Sequence, residues 1–403
     1  MFTYVDNEKS AKIKVIGVGG AGGNAINNMI RSGLQGVKFI AANTDAQALE
    51  ISRADVRIQL GGSITEGLGA GANPQIGREA ALETVEEIRN ALKDSHMVFI
   101  TSGLGGGTGT GATPVIAEVC REMGALTVAV VSKPFSFEGK KRALIAEQGL
   151  DEIKKVVDTA ITIPNDRLRA LASKKATLME MFMKADEILL HAVKGITDLI
   201  VMPGLVNLDF ADVRTTMSKA GMALMGIGIS AGENRAIEAA ERAISHPLLE
   251  DLSISGAKGV LMNITASSSM EFEEVAEASE RIHKEVGDEA EIFWGTSVDE
   301  SLGEEMRVTV IATGIGGEAE AVRSREKDIE REKKVVQPLR GKVRDVTAAD
   351  MERPDIVDLD EPTFIRHRRA VGESSGALYR GVGRMTLDDT DLDVPTFLRR
   401  KAD

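Results

Sequence analysis

The sequence has little cysteine, few aromatic residues and no long apolar run. Its single cysteine, Cys120, excludes an intrachain disulfide and fits a reducing cytosol. No apolar run approaches the roughly 20 residues of a membrane span. The first fifteen residues also lack the basic start and apolar core of a secretory signal. We therefore expect a cytoplasmic protein that does not insert directly into a membrane.

Positive charge is also scarce, since 49 basic residues face 62 acidic ones and the net charge is −13. From Gly317 onward, 19 acidic and 18 basic side chains nearly balance, so the excess negative charge belongs to the part before it. A broad basic face is therefore not expected, and nucleic acid is a poor candidate partner.

The part of the chain before Gly317 alternates apolar runs with glycine-rich turns and helical stretches, as in KIKVIGV before GGAGGNAINNMI. This order predicts an α/β fold, with an N-terminal, doubly wound, mostly parallel sheet of the Rossmann type. A helical pattern from Thr177 to Met202, ended by Pro203, predicts a long central helix. The runs that follow predict a second α/β domain with a mixed sheet.

The segment beyond Gly317 is highly charged and holds only three aromatic residues, so it cannot bury a core and is expected to be disordered. The predicted organisation is a nucleotide-binding domain at 1–176, a central connecting helix at 177–202, a second α/β domain at 203–316, a disordered linker at 317–390 and a terminal peptide at 391–403.

The predicted tail contains a repeat. DLDEPTFIR at 358–366 recurs as DLDVPTFLR at 391–399, with two differences in nine positions. Proline, phenylalanine and an aliphatic residue between acidic and basic flanks are typical of a peptide that docks in a partner's groove. We interpret the terminal copy as functional. The inner copy, within 358–369, is either a second docking peptide or a duplication without function.

Three glycine-rich loops follow predicted strands, at 17–24, 67–74 and 101–114. The third, TSGLGGGTGTGATP, has no lysine and so is not a common P-loop. Backbone N–H groups of three loops and the N-termini of two helices could hold a polyphosphate instead. Pro114 is expected in the first turn of the helix after the third loop. The alternative is a structural turn, but the number of glycines exceeds what a turn needs.

The motif GGGTGTG at 105–111 resembles the signature of the tubulin and FtsZ family of GTPases, and the similarity extends over 12–316. It includes NTDAQAL, KPFSFEGKKR, IPNDRL and NLDFADV. The terminal DLDVPTFLRRKAD resembles the tail peptide that the division proteins of this family have and the tubulins lack. The resemblance implies a GTPase that binds GTP, GDP and Mg²⁺ and polymerises head-to-tail into protofilaments.

The same resemblance implies a role in the cytokinetic ring at the bacterial division site. Adaptor proteins at the inner membrane would bind the terminal peptide. The residues implied in that contact are Asp393, Pro395, Phe397, Leu398 and Arg399. The five histidines show no metal-ligand spacing, so Mg²⁺ would be held mainly by phosphates and water.

The resemblance also assigns the nucleotide site. Asn165 and Asp186 would read guanine, with Phe182 stacked on the base, and Glu138 and Arg142 would lie near ribose and phosphate. A carboxylate can accept from guanine N1–H and its exocyclic amine, which adenine lacks. From spacing alone, Phe182 is better interpreted as a core aromatic and Asp186 as a solvated charge, and the resemblance reverses that interpretation. The other implied nucleotide-binding residues are Gly20, Ala21 (a glycine in some members), Gly22, Gly23, Asn24, Ala70, Gly71, Ala72, Gly107, Thr108 and Gly109.

The segment PGLVNLDFADV, 203–213, has two interpretations. On its pattern it begins a helix, with Asp209 as the N-cap and Asp212 in the first turn. The resemblance implies that it completes the nucleotide pocket of a neighbouring subunit. Asn207, Asp209 and Asp212 would then be catalytic in trans and would orient and activate the attacking water.

Two rival functions stay open from the sequence. Gly17, Gly19 and Gly22 fit Gly-x-Gly-x-x-Gly after a strand, with Asp45 about 20 residues on, a pattern that indicates a nicotinamide oxidoreductase. That interpretation leaves the third glycine loop unexplained. The other rival is a nucleotide-regulated scaffold that polymerises but hydrolyses poorly.

Overall fold

The structure is a computed structural model of the 403-residue chain, and it describes residues 11–170, 175–202, 206, 208–218, 221–249, 254, 256–287 and 290–315. All of them belong to one compact unit, Met1–Arg331. Asn207, the repeat at 358–369 and the terminal peptide at 391–403 lie outside the described residues.

Ten strands form one sheet in the order β3-β2-β1-β4-β5-β6-β7-β10-β8-β9. Its strands are β1 (Ile13–Val18), β2 (Val37–Asn43), β3 (Val56–Gln59), β4 (Met97–Gly103), β5 (Leu126–Lys133), β6 (Thr159–Pro164), β7 (Gly221–Ala231), β8 (Gly259–Ala266), β9 (Glu291–Val298) and β10 (Glu305–Ile315).

Helices cover both faces of this sheet. The described α-helices are α1 (Gly19–Arg31), α2 (Ala46–Glu50), α3 (Gly62–Thr65), α4 (Pro74–Glu83), α5 (Val85–Leu92), α6 (Thr108–Glu122), α7 (Lys140–Ile153), α8 (Leu178–Val201), α9 (Phe210–Met217), α10 (Arg235–Ile244) and α11 (Phe272–Val286). Short 3₁₀ turns include Ser136–Glu138 and Asn165–Ala170.

The strand order confirms the predicted fold class. Strands β1 to β6 are parallel and follow the order 3-2-1-4-5-6 of doubly wound dinucleotide-binding sheets. Among the described strands, only β10 runs antiparallel to its neighbours. The order reverses between β1 and β4, and ligands bind at such a reversal, beyond the carboxyl ends of the strands.

The two predicted sheets are continuous. Strand β6 pairs with β7 over three residue pairs, from Thr159–Gly221 to Ile161–Ala223. This pairing joins segments about 60 residues apart, so no local pattern in the sequence could indicate it. The proposed domain boundaries stay predictions.

The long helix α8 lies where the sequence predicts it. Thr177 and Glu180 form a reciprocal capping box at its start, which satisfies N–H groups of its first turn. Its buried face packs with β1, β4, β5 and α1 in the largest core cluster. No described helix is both long enough and apolar enough to cross a membrane. At its far end, Val201 packs against Gly36, where a Cβ would lie only 2.2 Å from Val201 Cγ1.

The predicted position of Pro114 is wrong. Helix α6 begins at Thr108, so Pro114 lies inside the helix rather than in its first turn. The second half of the glycine loop is therefore helical. Close packing explains why glycines start this helix, since a Cβ on Gly111 would lie 1.9 Å from Pro74 O and one on Gly109 would lie 2.5 Å from Gly103 O.

Candidate functional site

The three glycine loops meet at the point where the strand order reverses. A Cβ on Gly19 would lie 3.0 Å from Gly109 N, and one on Gly107 would lie 2.8 Å from Ala70 Cβ. The hydroxyls of Thr44 and Thr108 are 2.6 Å apart and tie β2 to the start of α6. The first and third loops therefore touch each other, and the second touches the third.

Two helices point their N-termini at this junction. Helices α1 and α6 begin at Gly19 and Thr108, and neither has a side chain that caps its first turn. The first four N–H groups of a helix have no partner within the helix, so these amides are free to bind an anion. The N-termini of α1 and α6 therefore supply the positive potential that a lysine supplies in a common P-loop.

The glycines of these loops divide into two groups. For Gly22 a Cβ would lie 2.5 Å from Thr101 O, and Gly107 and Gly109 are as tightly enclosed by neighbouring atoms. The protein's own packing therefore requires these glycines. A Cβ on Gly20, Gly23, Gly71 or Gly106 would meet nothing within 4 Å. Of these four, Gly71 alone has a positive φ, so neither packing nor backbone conformation accounts for glycine at the other three.

The open glycines give a test of where a ligand lies. Because Gly20 has an ordinary φ and no neighbour, Gly20→Ala is expected to leave thermal stability unchanged while weakening nucleotide binding at least roughly tenfold through contact with the phosphates. Gly22→Ala, two residues away, is the matched control. It should lower the melting temperature because its methyl group would overlap Thr101 O. Unchanged nucleotide affinity in Gly20→Ala would place the ligand elsewhere.

The second loop is held in an unusual backbone conformation. Gly71 and Ala72 both have φ of +57°, which alanine adopts at an energetic cost. Ala70 is buried, and Asn73 accepts from Gln75 N–H at 3.0 Å to cap α4. The predicted residues 70–72 therefore sit on a fixed loop beside the third glycine loop.

A cleft continues from the loops towards α8. It brings together seven of the predicted nucleotide residues, namely Ala21, Asn24, Glu138, Arg142, Asn165, Phe182 and Asp186. Leu104, Ser132 and Pro134 also line it and were missed in the sequence. The rule that ligands bind at the carboxyl ends of strands could have found them, since they lie at or just beyond the ends of β4 and β5.

Glu138 and Arg142 form one wall of this cleft. Arg142 Nε lies 3.1 Å from Glu138 Oε2, while Glu138 Oε1 accepts from Phe135 N–H at 2.8 Å. Phe182 is 42% exposed and meets Phe135 edge-on, with ring centroids 5.6 Å apart. The ring is partly exposed and lines the cleft, which suits stacking on a planar base.

Two polar side chains of the cleft, those of Asn165 and Asp186, have properties that suit a ligand. Asn165 is 5% exposed, and its Oδ1 atom is buried without a hydrogen-bond donor. Burial raises the pKa of Asp186 to about 6, and the charge of Arg31 offsets only part of that effect. Buried acceptors without donors are rare in folded proteins. Both side chains therefore fit a ligand that presents N–H donors.

Asp45 has a structural role that is sufficient to explain an aspartate at this position. Its Oδ1 accepts from the N–H groups of Gln47 at 2.9 Å and Ala48 at 3.3 Å and caps α2. A dinucleotide site would need this carboxylate at a ribose 2′-hydroxyl. Asp45 therefore adds no evidence for that interpretation to the glycine spacing and the strand order.

Asp209 and Asp212 lie far from the cleft. Asp209 Oδ1 accepts from Asp212 N–H at 2.8 Å, so the predicted N-cap of α9 is confirmed. The Phe210 ring lies 6.1 Å from the ring of His96, which stands just before β4, at the amino ends of the strands. Helix α8 rises about 22 Å between Asp186 and Val201. The acidic pair is thus at the end of the molecule opposite to the glycine loops.

Within the described residues, no group of three or more acidic, histidine or cysteine side chains could hold a metal ion. A metal at this site would therefore take its ligands from phosphates, from water and from single protein groups.

The fold and the site together define a nucleotide-binding α/β protein with a lysine-free phosphate site. Residues 12–173 match the GTPase domain of the tubulin/FtsZ family, and residues 221–316 match the C-terminal domain of the FtsZ family. The chain is 47% identical to a cell division protein FtsZ of Pseudomonas aeruginosa and 48% identical to one of Pseudomonas putida, each over the whole of both chains. The chain therefore belongs to the FtsZ family of tubulin-like GTPases.

Solved structures agree with this assignment. An FtsZ dimer of M. jannaschii is similar with a TM-score of 0.74 and 46% identity, over 76% of this chain and 89% of that one. CetZ2 of Haloferax volcanii has a TM-score of 0.64 over 80% of this chain and 99% of that one, but only 20% identity, so it supports the fold alone.

Proposed function

We propose that this protein binds GTP in the cleft, polymerises head-to-tail and hydrolyses GTP at the contact between subunits. The observation that carries the proposal is the distance between the two halves of the site. The glycine loops lie at the carboxyl ends of the strands, and Asp209 and Asp212 lie at the opposite end. These carboxylates reach a nucleotide only when a second copy stacks end to end.

In this proposal the loops and the cleft bind, and the neighbour completes the reaction. The amides of α1 and α6 hold the phosphates, Asn165 and Asp186 receive the N–H donors of guanine, and Phe182 stacks on the base. Asn207, Asp209 and Asp212 of the next subunit orient the attacking water and accept its proton. Bound Mg²⁺ would neutralise phosphate charge, with phosphate oxygens and water as its main ligands.

The end-to-end contact joins two different surfaces, so it does not close and generates an open filament. The FtsZ dimer among the similar structures supports such self-association. The names of the relatives support a role in cell division. In this proposal the protofilaments form the ring at the division site. Adaptor proteins at the inner membrane would bind the terminal peptide 391–403, and its inner copy at 358–369 would add a second binding segment.

The proposal is tested by pelleting the protein with GTP or GDP while phosphate release is followed in the same sample. We expect sedimentation that depends on GTP and is accompanied by phosphate release. Assembly with little phosphate release would identify the regulated scaffold instead. Neither assembly nor release would overturn the proposed function.

A further inference from the structure

Four lysines surround a cavity at the amino ends of β1 and β2, far from the nucleotide cleft. The cavity has a volume of about 450 Å³, and its lining includes Lys12, Lys14, Lys38 and Lys93. Asp94 is the one acidic residue in its lining. None of these lysines forms an ion pair with another described residue. A concentration of positive charge in a protein of net charge −13 calls for an explanation.

The fold holds this cluster together at a cost. Lys14 and Lys38 are directly opposite in the β1–β2 pairing, and like charges in that position are destabilising. Lys12 lies two residues before Lys14 and so projects from the same face of the sheet. Burial lowers the pKa of Lys14, the charges of Lys38 and Lys12 lower it further, and the charge of Asp94 offsets part of this effect.

Among the described residues, only one of the four lysine side chains, that of Lys14, forms hydrogen bonds within the fold. The Lys14 ammonium donates to Ala91 O at 3.0 Å and to the carbonyl of Lys93, at the end of α5. Lys12, Lys38 and Lys93 are exposed, and their ammonium groups have no described partner. Like charges placed side by side lower stability, and here no described contact of these three ammonium groups offsets that cost. Such exceptions to the rules of stability are typical of functional surfaces.

The opposite end of the same strands carries the opposite charge. Stretches 44–50 and 61–73, which follow β2 and β3, contain Asp45, Glu50 and Glu66 and no lysine or arginine. Glu66 is exposed and lies on the loop next to the glycines. Strands β1 to β3 therefore run from a positive end to a negative end, and a bound nucleotide would add phosphate charge to the negative one.

The lysine cavity is also continuous with the surface that carries the acidic pair. Gly36, part of its lining, packs against Val201 at the end of α8. The Lys12 N–H donates to His96 Nδ1 at 2.9 Å, and the His96 ring adjoins Phe210 at the start of α9. The cavity and Asp209 thus belong to one end face of the molecule.

We propose that Lys12, Lys38 and Lys93 dock the acidic loops that follow β2 and β3 at the nucleotide-bearing end of a second copy of this chain. The proposal rests on the head-to-tail assembly of the proposed function and adds the charges that orient it. Two copies of net charge −13 repel each other. A lysine cluster that meets acidic loops favours stacking in one direction and speeds encounter, whereas the reversed stack places the lysine clusters of the two copies together.

The test compares Lys38→Gln with Arg57→Gln, an exposed cation on the neighbouring strand β3. At low salt, Lys38→Gln should raise the protein concentration needed for GTP-dependent assembly roughly two- to fivefold, as for loss of a surface ion pair. The triple variant of Lys12, Lys38 and Lys93 to Gln should raise it further. Salt should reduce these differences. Arg57→Gln should assemble as the wild type does.

A second measurement separates docking from nucleotide binding. The affinity of dilute protein for a fluorescent GTP analogue should be the same in the wild type and in the triple variant. An unchanged assembly threshold in the triple variant would overturn the proposal. So would binding of pyrophosphate to the nucleotide-loaded wild type but not to the triple variant, because the cavity would then be a small-anion site. Absence of assembly by the wild type would overturn the proposed function itself.

Discussion

Replacement of Asp212 by alanine is expected to lower GTP hydrolysis at least about 100-fold, the range for loss of a group that positions or deprotonates water. GTP affinity should not change, because Asp212 is at the end of the molecule opposite to the cleft. The rate of phosphate release above the assembly threshold and the affinity for a fluorescent GTP analogue measure the two effects separately. Equal losses of affinity and rate would contradict the assignment.

Asp209 requires a different substitution. Its carboxylate caps α9 through Asp212 N–H, so Asp209→Ala would also cost about 1 kcal/mol of helix stability. Asp209→Ser keeps an N-cap acceptor and removes only the charge. A loss of hydrolysis in Asp209→Ser with an unchanged melting temperature would therefore assign a catalytic role to the charge. Thr215→Ala, on the exposed face of α9, controls for changes to the helix surface.

Mixing experiments distinguish a shared site from a site within one subunit. Asp212→Ala subunits have an intact nucleotide end and a defective catalytic end, so they should poison assemblies with wild-type protein. They should regain activity when mixed with subunits that are defective only in the cleft, because one partner then supplies each half. No activity in any such mixture would favour a site built within one chain.

Replacement of Asp186 is expected to remove the preference for guanine. Asp186→Ala should weaken GTP binding by roughly 100-fold or more and bring the affinities for GTP and ATP close together, since a site that pairs with specific N–H groups discriminates by orders of magnitude. Competition of GTP and ATP against a fluorescent guanine nucleotide measures this ratio. Glu187→Ala, at the next position of α8 and outside the cleft, is the matched control.

The pH dependence of binding gives an independent check on Asp186. Its pKa of about 6 in the free protein means that the carboxyl gains a proton as the pH falls through 6. Guanine N–H groups bind the charged form, so bound guanine lowers this pKa and binding releases a proton in that range. GTP affinity should therefore fall below pH 6 and level off above about 7. If Asp186 causes this pH dependence, the GTP affinity of Asp186→Asn should not change over the same pH range.

Local signals in the sequence were enough for much of the fold. Alternating apolar runs and glycine turns predicted the parallel strands, and Thr177 and Pro203 marked the limits of α8. Asp209 was recognisable as a helix cap. Two features depend on contacts between distant segments and could not be predicted. They are the joining of β6 to β7 and the start of α6 at Thr108, where packing against α4 and β4 makes a glycine-rich segment helical.

In the candidate site, too, some features could be predicted from the sequence and others depend on contacts between distant segments. Its residues were named from a resemblance, but their properties come from tertiary packing. Asn165 has a buried oxygen without a donor only because the cleft encloses it, and the pKa of Asp186 rises only because of its burial at the edge of α8. The lysine cavity joins Lys12, Lys38 and Lys93 from three separate segments, so no spacing in the sequence indicated it.

The most direct test of the shared-site account is the GTPase rate per subunit over a wide range of protein concentration. If Asp209 and Asp212 act on the nucleotide of a neighbour, the rate per subunit should approach zero on dilution. It should rise steeply above the concentration at which filaments form and then become constant. A rate per subunit that stays the same at every dilution would show that one chain hydrolyses GTP alone, and would contradict the account.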